Sequence, residues 1–387
     1  MEEKLKLVSE YIDAHRDEII ADWKTVVNIE SHTPDLEGVR AVAEKFKELF
    51  EGAGVDCQIA ETGMCPSLVG IIGADRPGKP IIFSGHYDTV FKKGTFGDDP
   101  FRIEDGRAYG PGCLDMKGGI VIALYVIKAL NSIGYEDTPI KIIFSGDEEN
   151  AHDKSTGGDV IFEAAKGGLF AFNMETGNPR NALVVARKGC LRGYITITGV
   201  EAHAGNDFFA GRNAILEAAY KAVEIAKLTD LKTESTMNLG TIQGGTMPNC
   251  VAGSCSMVLD MRFWTAAEKD RMVDGVNQIV AKNFVDGTTA TVEYKSYMPA
   301  FENTEGVRRF YAHVGKVAEK YGFDPIDEMR PGGASDASYI TMAGTPVLCS
   351  FGVQVEWNHT TREYAIVESL FTRAKFISAV ILENKAF

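Results

Sequence analysis

Apolar and polar positions change their spacing several times along the first half of the chain. Four runs of mostly apolar residues predict buried strands, at 67–72, 80–84, 140–145 and 169–173. Apolar residues that recur every three or four positions predict helices over 3–28, 38–52 and 117–133. A helix between continuously apolar strands is typical of a mostly parallel sheet that helices cover on both faces.

The order of predicted elements changes at about residue 189. From there the pattern predicts a strand, a helix, two strands, a helix and a strand, over 191–199, 212–228, 236–243, 253–263, 266–283 and 289–297. This β-α-β-β-α-β order is ferredoxin-like. The α/β pattern then resumes, with a helix, a strand and a helix over 306–321, 346–351 and 366–383. We therefore predict an α/β fold, with a mixed, mostly parallel sheet flanked by helices, in which an α+β domain (189–297) is inserted between 1–188 and 298–387.

Composition and charge exclude several classes of protein. The 387 residues are 45% hydrophobic, and 54 acidic against 40 basic residues give a net charge of −14. This balance argues against binding to nucleic acid or to an anionic membrane, since both need a basic surface. The longest apolar run, 120–127, is far shorter than the ~20 residues that span a bilayer, and the first residues have no apolar signal core. Seven cysteines without a Cys-x-x-Cys motif favour reduced thiols and a cytoplasmic location.

Residues that carry chemistry follow the predicted strands at the point where each strand ends. In chain order these are His86 and Asp88 after 80–84, Glu148 and Glu149 after 140–145, and Glu175 after 169–173. Asp115 ends a glycine-rich segment just before the helix at 117–133. Because ligands bind outside the carboxyl ends of parallel strands, these side chains should converge in one small volume. Carboxylates so close together repel each other unless protons or a cation neutralise them.

A pair of metal ions would explain this set of residues. Two ions that share one bridging carboxylate need about five protein ligands. The candidates are His86, Asp115, Glu149, Glu175 and, in the loop after the strand at 346–351, His359. Three carboxylates against two divalent ions leave one positive charge, which a bridging hydroxide can neutralise. Asp88 would share the strand face of His86 and accept its second ring N–H, which fixes the tautomer.

The motifs together resemble those of the dizinc hydrolase family that includes glutamate carboxypeptidase, acetylornithine deacetylase, succinyl-diaminopimelate desuccinylase and aminoacylase. The resemblance covers nearly the whole chain. It consists of His-x-Asp at 86–88, Gly-x-x-Asp-x-Lys-Gly-Gly at 112–119, the pair Glu148-Glu149, Glu175, His203-Ala204-Gly205, Asn249, Asp260-x-Arg262, Gly-Gly-x-x-Asp-Ala at 332–337, and His359. The sequence departs from the family after His-Ala-Gly, where Asn206-Asp207 replaces the frequent Pro-Glu.

The resemblance implies a zinc-exopeptidase-like fold whose inserted domain acts as a lid or forms a homodimer. It also implies that Asp115 bridges two Zn²⁺ ions, with His86 and Glu175 on one and Glu149 and His359 on the other, and that a cis peptide follows Asp115. Co²⁺ and Mn²⁺ are possible substitutes for zinc.

Other residues are expected to act on water and on the substrate. Glu148, which the charge balance does not require as a ligand, has the family role of general base toward the bridging hydroxide. His203 is the candidate donor to the oxyanion, with Asn249 beside it, either in the same chain or across a dimer. Arg262 would bind a substrate carboxylate with two hydrogen bonds, and the loop with Gly333 is expected to line the pocket.

A few polar residues are not assigned to the metal ions or to the substrate. Asp336 is expected to cap the helix that follows it. His15, His32, His152 and His313 belong to no motif, and helical spacing places His313 opposite the apolar face of the helix at 306–321.

We therefore predict a cytoplasmic metal-dependent hydrolase that cleaves an amide bond next to a free carboxylate, as glutamate carboxypeptidase does. One alternative keeps the mechanism but makes the protein an N-acyl-amino-acid deacylase. An alternative of another class is a metal-dependent binding protein without catalytic activity. The expected substrates are small peptides or N-acyl amino acids.

Overall fold

The computed structural model describes the backbone of residues 1–387 and the side chains of residues 1–354, 357–385 and 387. The chain forms two compact units. The first unit comprises Met1–Val185, Asn303–Arg330 and Ser335–Phe387, and the second comprises Ala186–Glu302 and Pro331–Ala334. The second unit is thus an insertion in the first, and its main segment spans the range for which the ferredoxin-like order is predicted.

The regular elements are numbered in chain order. The helices are α1 (Glu2–Ala14), α2 (Arg16–Asn28), α3 (Leu36–Gly52), α4 (Lys117–Ser132), α5 (Gly157–Ala165), α6 (Ala214–Ala226), α7 (Ala266–Ala281), α8 (Glu305–Tyr321), α9 (Ala337–Met342) and α10 (Val367–Leu382). The strands are β1 (Asp56–Ala60), β2 (Ser67–Ile72), β3 (Ile81–His86), β4 (Arg102–Glu104), β5 (Arg107–Tyr109), β6 (Ile140–Ser145), β7 (Phe170–Asn173), β8 (Ala182–Val184), β9 (Gly189–Thr198), β10 (Ala202–His203), β11 (Thr236–Gly244), β12 (Cys250–Val251), β13 (Ser254–Phe263), β14 (Thr289–Met298), β15 (Asp327–Met329), β16 (Val347–Cys349), β17 (Val355–Glu356) and β18 (Tyr364–Ile366).

The first unit is built on a mixed sheet. Within the described residues its strand order is β1-β2-β6-β3-β7-β16-β8-β15. The central strands β6, β3, β7 and β16 run parallel, whereas β1 and β2 pair antiparallel at one side. Strand β3 is buried along its whole length, and α4 packs against β3, α2 and α10. The predicted α/β fold with a mixed, mostly parallel sheet is therefore confirmed.

The second unit contains a separate antiparallel sheet of order β11-β13-β9-β14. Its strands and helices follow one another as β9, α6, β11, β13, α7 and β14, which is the predicted ferredoxin-like order. Alternate residues of the sheet, such as Ile195, Met257 and Leu259, are buried and pack with α6 and α7 into one apolar core. Such alternation is typical of a sheet that has helices packed against only one of its two faces.

An ion pair between Glu217 and Lys221 lies inside this second core. Both side chains are fully buried, and Lys221 Nζ lies 2.9 Å from Glu217 Oε1. Lys221 also donates hydrogen bonds to the carbonyls of Ile279, Val280 and Lys282 at the end of α7, at 2.6–3.0 Å. The pair therefore ties α6 to the C-terminal carbonyls of α7, which would otherwise lack donors.

Two local predictions are wrong. The helix predicted over 3–28 is divided into α1 and α2 at His15, whose ring Nδ1 bonds the carbonyl of Tyr11, 2.7 Å away. His313 is buried rather than exposed, because the rings of Phe170 and Phe387 pack near it, with centroids 6.4 and 5.8 Å from its own. No helix in the described part of the chain has the length and apolarity needed to cross a bilayer.

Candidate metal centre

The predicted metal ligands lie where the central parallel strands end. His86 is the last residue of β3, which pairs with β6 so that His86 faces Ser145. Beyond Ser145 the chain forms a short 3₁₀ turn, Glu148–Asn150, which carries both glutamates of the pair. Glu175 follows the end of β7, the strand on the other side of β3. Adjacent parallel strands thus bring residues from three distant segments to one edge of the sheet.

Asp115 reaches the same edge from the start of α4. Its peptide bond to Met116 is cis, as the resemblance implies. The preceding segment is held by the Trp23 indole, which donates to the carbonyl of Cys113 at 3.2 Å. Gly119 allows α4 to begin beside Glu175, because a Cβ at that position would lie 2.0 Å from the carbonyl oxygen of Met174.

The ligand atoms form two groups that share Asp115. His86 Nε2 lies 3.3 Å from Asp115 Oδ1 and 3.7 Å from Glu175 Oε1. His359 Nε2 lies 3.2 Å from Asp115 Oδ2 and 3.4 Å from Glu149 Oε2. Each group therefore contains one imidazole, one oxygen of Asp115 and one glutamate, and the two oxygens of Asp115 face different imidazoles.

The donor set fits two divalent cations. Among the described side chains, Asp115 Oδ1 accepts no hydrogen bond although it is buried. The side chains of Asp115, Glu149 and Glu175 are 8–9% exposed, and burial raises the pKa of Glu149 above its usual value. Buried carboxylates this close need positive charge to remain ionised. Imidazole nitrogen and carboxylate oxygen are common ligands of zinc.

Glu148 lies beside the same groups. Its carboxylate, His86 and Glu175 offer ligand atoms within 4.8 Å of one another, as do His86, Asp115 and Glu149. Burial raises the pKa of Glu148 well above its usual value, and the nearby Glu175 carboxylate adds to the increase. The geometry alone therefore allows Glu148 to contact either an ion or a water molecule next to it.

Asp88 connects His86 to the turn that carries the glutamates. It is fully buried, and its Oδ1 lies 3.2 Å from His86 Nδ1. The same carboxylate accepts the backbone N–H groups of Glu148 and Glu149, at 3.2 Å each, and the Thr33 hydroxyl at 2.7 Å. With Nδ1 of His86 facing Asp88, Nε2 is directed toward Asp115 and can bind a metal.

Lys117 and Glu363 border the centre. Lys117 is buried and donates to the carbonyl of Ile29 at 2.7 Å, and burial lowers its pKa to about 7. Glu363 accepts the N–H of Gly112 at 3.1 Å, and burial together with the Asp115 charge raises its pKa to about 9. No sequence motif singled out Glu363 beforehand. Glu363 therefore holds the backbone before Asp115, whereas Lys117, two residues after Asp115, is anchored to the backbone at the end of α2.

In the second unit, His203 and Asn249 lie next to each other. Strands β10 and β12 pair with His203 opposite Cys250, and Ala204 donates its N–H to the carbonyl of Asn249 at 3.0 Å. His203 Nδ1 accepts the N–H groups of Gly205 and Asn206, at 3.2 and 3.0 Å. Because Nδ1 is an acceptor, a neutral ring carries its proton on Nε2. The side chain is exposed, so this N–H can donate to a ligand.

Arg262 and Gly333 also belong to the second unit. Arg262 lies on β13 and binds Asp260 through two hydrogen bonds, Nε to Oδ1 at 2.6 Å and Nη2 to Oδ2 at 3.1 Å. Its side chain is 33% exposed. The carbonyl of Gly333 lies 3.5 Å from Arg187 Nη1. The predicted site residues are thus divided between the two units. The first unit contains Asp88, Glu148 and the five candidate ligands, and the second contains His203, Asn249, Arg262 and Gly333.

Sequence reasoning missed a buried polar network behind the glutamate turn. His152 bonds both Asp147 and Asp336, each at 2.7 Å. Asp336 occupies the N-cap position of α9, but its side chain makes no capping hydrogen bond, contrary to expectation. It accepts the Ser145 hydroxyl instead, at 2.6 Å. The sequence gives little signal for this network, since His152 stands in a polar, glycine-rich loop that resembles solvent-exposed chain.

Comparison with known proteins identifies the family. The family described as peptidase family M20/M25/M40 matches residues 82–383. The chain belongs to this family. It is 27% identical over 371 residues to carboxypeptidase G2 of Pseudomonas sp. (strain RS-16), a match that covers 94% of this chain and 89% of that protein.

A second sequence relative and a solved structure are also similar to this chain. The chain is 27% identical over 335 residues to succinyl-diaminopimelate desuccinylase of Xanthomonas euvesicatoria, covering 81% of this chain and 85% of the relative. The crystal structure of aminopeptidase PepT from Bacillus cereus has the same fold, with a TM-score of 0.78 and 24% identity over 96% of this chain and 99% of that one. This M20/M25/M40 peptidase is therefore a metal-dependent hydrolase with a candidate metal site.

Proposed function

We propose that this protein binds two zinc ions and cleaves an amide bond next to a free carboxylate, as an exopeptidase similar to carboxypeptidase G2. The observation that carries the proposal is the pair of ligand groups that share Asp115 while a further carboxylate, Glu148, lies beside them. A single ion would not need all of these groups. The match to carboxypeptidase G2 over 94% of the chain supports the reaction.

Each ligand has a place in this proposal. His86 and Glu175 would hold one ion, Glu149 and His359 the other, and Asp115 would bridge them. When bound, the ions polarise the scissile carbonyl and lower the pKa of water. Asp88 keeps the imidazole of His86 oriented and holds the backbone of Glu148 and Glu149.

Glu148 is the proposed general base. It would take a proton from the attacking water and deliver it to the departing amine, which requires a carboxylate within hydrogen-bond reach of both. Its backbone N–H is fixed by Asp88, so the side chain projects from a rigid turn. A base held in this way loses little freedom when the reaction begins.

The second unit would supply contacts to the substrate. His203 is the proposed donor to the oxyanion, because its Nδ1 accepts two backbone N–H groups and leaves Nε2–H to donate. We assign Asn249 and Gly333 to substrate binding. Arg262 would bind the free carboxylate, and its partly exposed guanidinium keeps donors that Asp260 does not use.

A second candidate function is removal of an acyl group from an N-acyl amino acid. The 27% identity to a succinyl-diaminopimelate desuccinylase favours it. The residues around the ions would be the same, so the two functions differ only in the acyl side of the substrate.

We further propose a cytoplasmic homodimer that forms through the second unit. Leu216, Tyr220 and Val223 lie along one face of α6 and are 45–60% exposed, and Ile242 of β11 is also exposed. A stripe of large apolar side chains on a surface is typical of a protein interface. The seven cysteines form no disulfide among the described residues, which suits a reducing compartment.

A substrate panel tests the proposed function. The protein would be stripped of metal, reloaded with Zn²⁺ or Co²⁺, and assayed with dipeptides and with acetyl- and succinyl-amino acids. Each substrate would also be tested with its carboxylate amidated. Cleavage of free-acid peptides supports the exopeptidase, cleavage of acyl-amino acids alone supports the deacylase, and equal cleavage of amidated substrates contradicts the carboxylate requirement.

A further inference from the structure

The buried side chain of His152 lies directly behind the turn that carries Glu148 and Glu149. Its Nδ1 is 2.7 Å from Asp147 Oδ1, and its Nε2 is 2.7 Å from Asp336 Oδ1. The residue is 6% exposed, and both aspartates are almost completely buried. His152 belongs to no family motif that the sequence displays, and the proposed function does not use it.

The geometry defines the protonation of this ring. Each nitrogen faces a carboxyl oxygen, and an ionised carboxylate can only accept, so both nitrogens donate when Asp147 and Asp336 are ionised. Burial disfavours a charged imidazole, yet the carboxylates of Asp336 and Asp147 raise the pKa of His152 well above its usual value. The result is a buried imidazolium between two carboxylates. Among the described side chains, Asp147 Oδ2 accepts no hydrogen bond. His152 is therefore the group that balances the buried negative charge of Asp147.

The surroundings leave this ring little freedom. A Cβ on Gly157 would lie 2.7 Å from both His152 Nδ1 and Asp147 Oδ1, so the glycine is needed for the close packing. The ring of Tyr339 packs edge-on, with its centroid 5.4 Å away. His152 itself has a positive φ of 54°, a backbone conformation that costs free energy in a non-glycine residue.

The glutamate turn is therefore held from two sides. Asp88 binds the backbone N–H groups of Glu148 and Glu149 on the side of His86. On the other side, Asp147 immediately precedes Glu148, and His152 ties it to Asp336 at the start of α9. Asp336 is in turn bound by Ser145, the residue at the end of β6. A displacement of His152 would move the turn as a whole.

We propose that His152 is a positioning residue, which fixes the glutamate turn so that Glu148 and Glu149 face the metal centre. The proposal rests on the proposed function for the role of Glu148, but its effect on metal binding through Glu149 does not depend on any substrate. A histidine with a purely structural role would contribute to stability and leave kcat and metal affinity unchanged in the folded variant.

The variant His152→Ala tests this, with His313→Ala as the matched control. His313 is another buried histidine of the first unit, and its variant creates a similar cavity away from the turn. Partners that orient metal ligands typically contribute ~10–100-fold to affinity or activity. We expect His152→Ala to lose ~10–100-fold in kcat with little change in KM, and a similar factor in the affinity for one Zn²⁺ ion, measured by titration of the metal-free protein. His313→Ala should keep both values.

Chemical rescue separates positioning from stability. Imidazole can enter the cavity of His152→Ala and donate to both aspartates, whereas 1-methylimidazole has one N–H at most. Restoration of kcat and Zn²⁺ affinity by imidazole but not by 1-methylimidazole supports the proposal. If His152→Ala does not fold, Asp336→Asn, which preserves the shape of the network but removes one acceptor charge, should show the same losses to a smaller degree.

The outcomes are distinct for the two proposals. Wild-type values of kcat and Zn²⁺ affinity in folded His152→Ala, or in Asp336→Asn when the alanine variant does not fold, would overturn the positioning role. If the wild-type protein hydrolyses no substrate in the panel, the proposed function fails, and the Zn²⁺ titrations of the same variants still decide the role of His152.

Discussion

The substitution Glu148→Gln separates the general base from the metal ligands. The two side chains have nearly the same shape, and the backbone N–H of residue 148 would still be bound by Asp88. Any loss of activity should therefore come from the missing base and not from a change in structure. A positioned general base contributes typically 10²–10⁴-fold, which corresponds to about 2.7–5.4 kcal/mol in the activation free energy. We expect kcat to fall by this factor while two metal ions remain bound.

The neighbouring variant Glu149→Gln is the control. It should lose affinity for one ion, because Glu149 is the proposed ligand and lies 3.4 Å from His359. Metal content measured by mass spectrometry and kcat measured under saturating zinc would be compared for both variants. Since Glu148 also lies within 4.8 Å of His86 and Glu175, a drop from two ions to one in Glu148→Gln would show that it is a ligand. Unchanged kcat would refute its role as base.

Further predictions concern the ions, the substrate and the second core. Chelation should abolish activity reversibly, with about two Zn²⁺ ions per chain returning on reconstitution; a stoichiometry near zero would contradict the metal centre. Arg262→Ala should raise KM by ~10–100-fold for free-acid substrates, since a hydrogen bond to a charged group contributes about 1.5–3 kcal/mol; an equal effect on amidated substrates would contradict the contact. Lys221→Met should lower the free energy of unfolding by about 3–5 kcal/mol in urea titrations, because it leaves Glu217 buried without its cation. The double variant with Glu217→Gln should recover part of that loss.

The parallel core was predictable from sequence because its strands are continuously apolar and each ends at a polar residue. The strands predicted at 80–84 and 140–145 correspond to β3 and β6, and their ends differ by at most two residues. The helix over 306–321 matches α8 because its apolar spacing is regular. Most strands of two or three residues went unpredicted, since so few residues carry no periodicity and depend on their partners for hydrogen bonds; these are β4, β5, β8, β10, β12, β15, β17 and β18.

The candidate ligands could be predicted because each one stands at a strand end or a glycine-rich turn. The network of His152, Asp147 and Asp336 could not, because residues 152 and 336 are far apart in the chain and neither shows periodic spacing. Their pairing depends on the packing of α9 beside α5. Burial of single polar residues in irregular loops is decided by tertiary contacts, and these leave no local pattern.

The five predicted ligands are split by the insertion, and this affects when a nascent chain can acquire metal. His86, Asp115 and Glu175 all precede the second unit, whereas His359 lies 184 residues beyond Glu175. At roughly 5–20 residues per second, a ribosome needs about 10–40 s to reach His359. The ligands proposed for one ion are thus synthesised well before the set proposed for the other ion is complete, so loading during translation should be sequential.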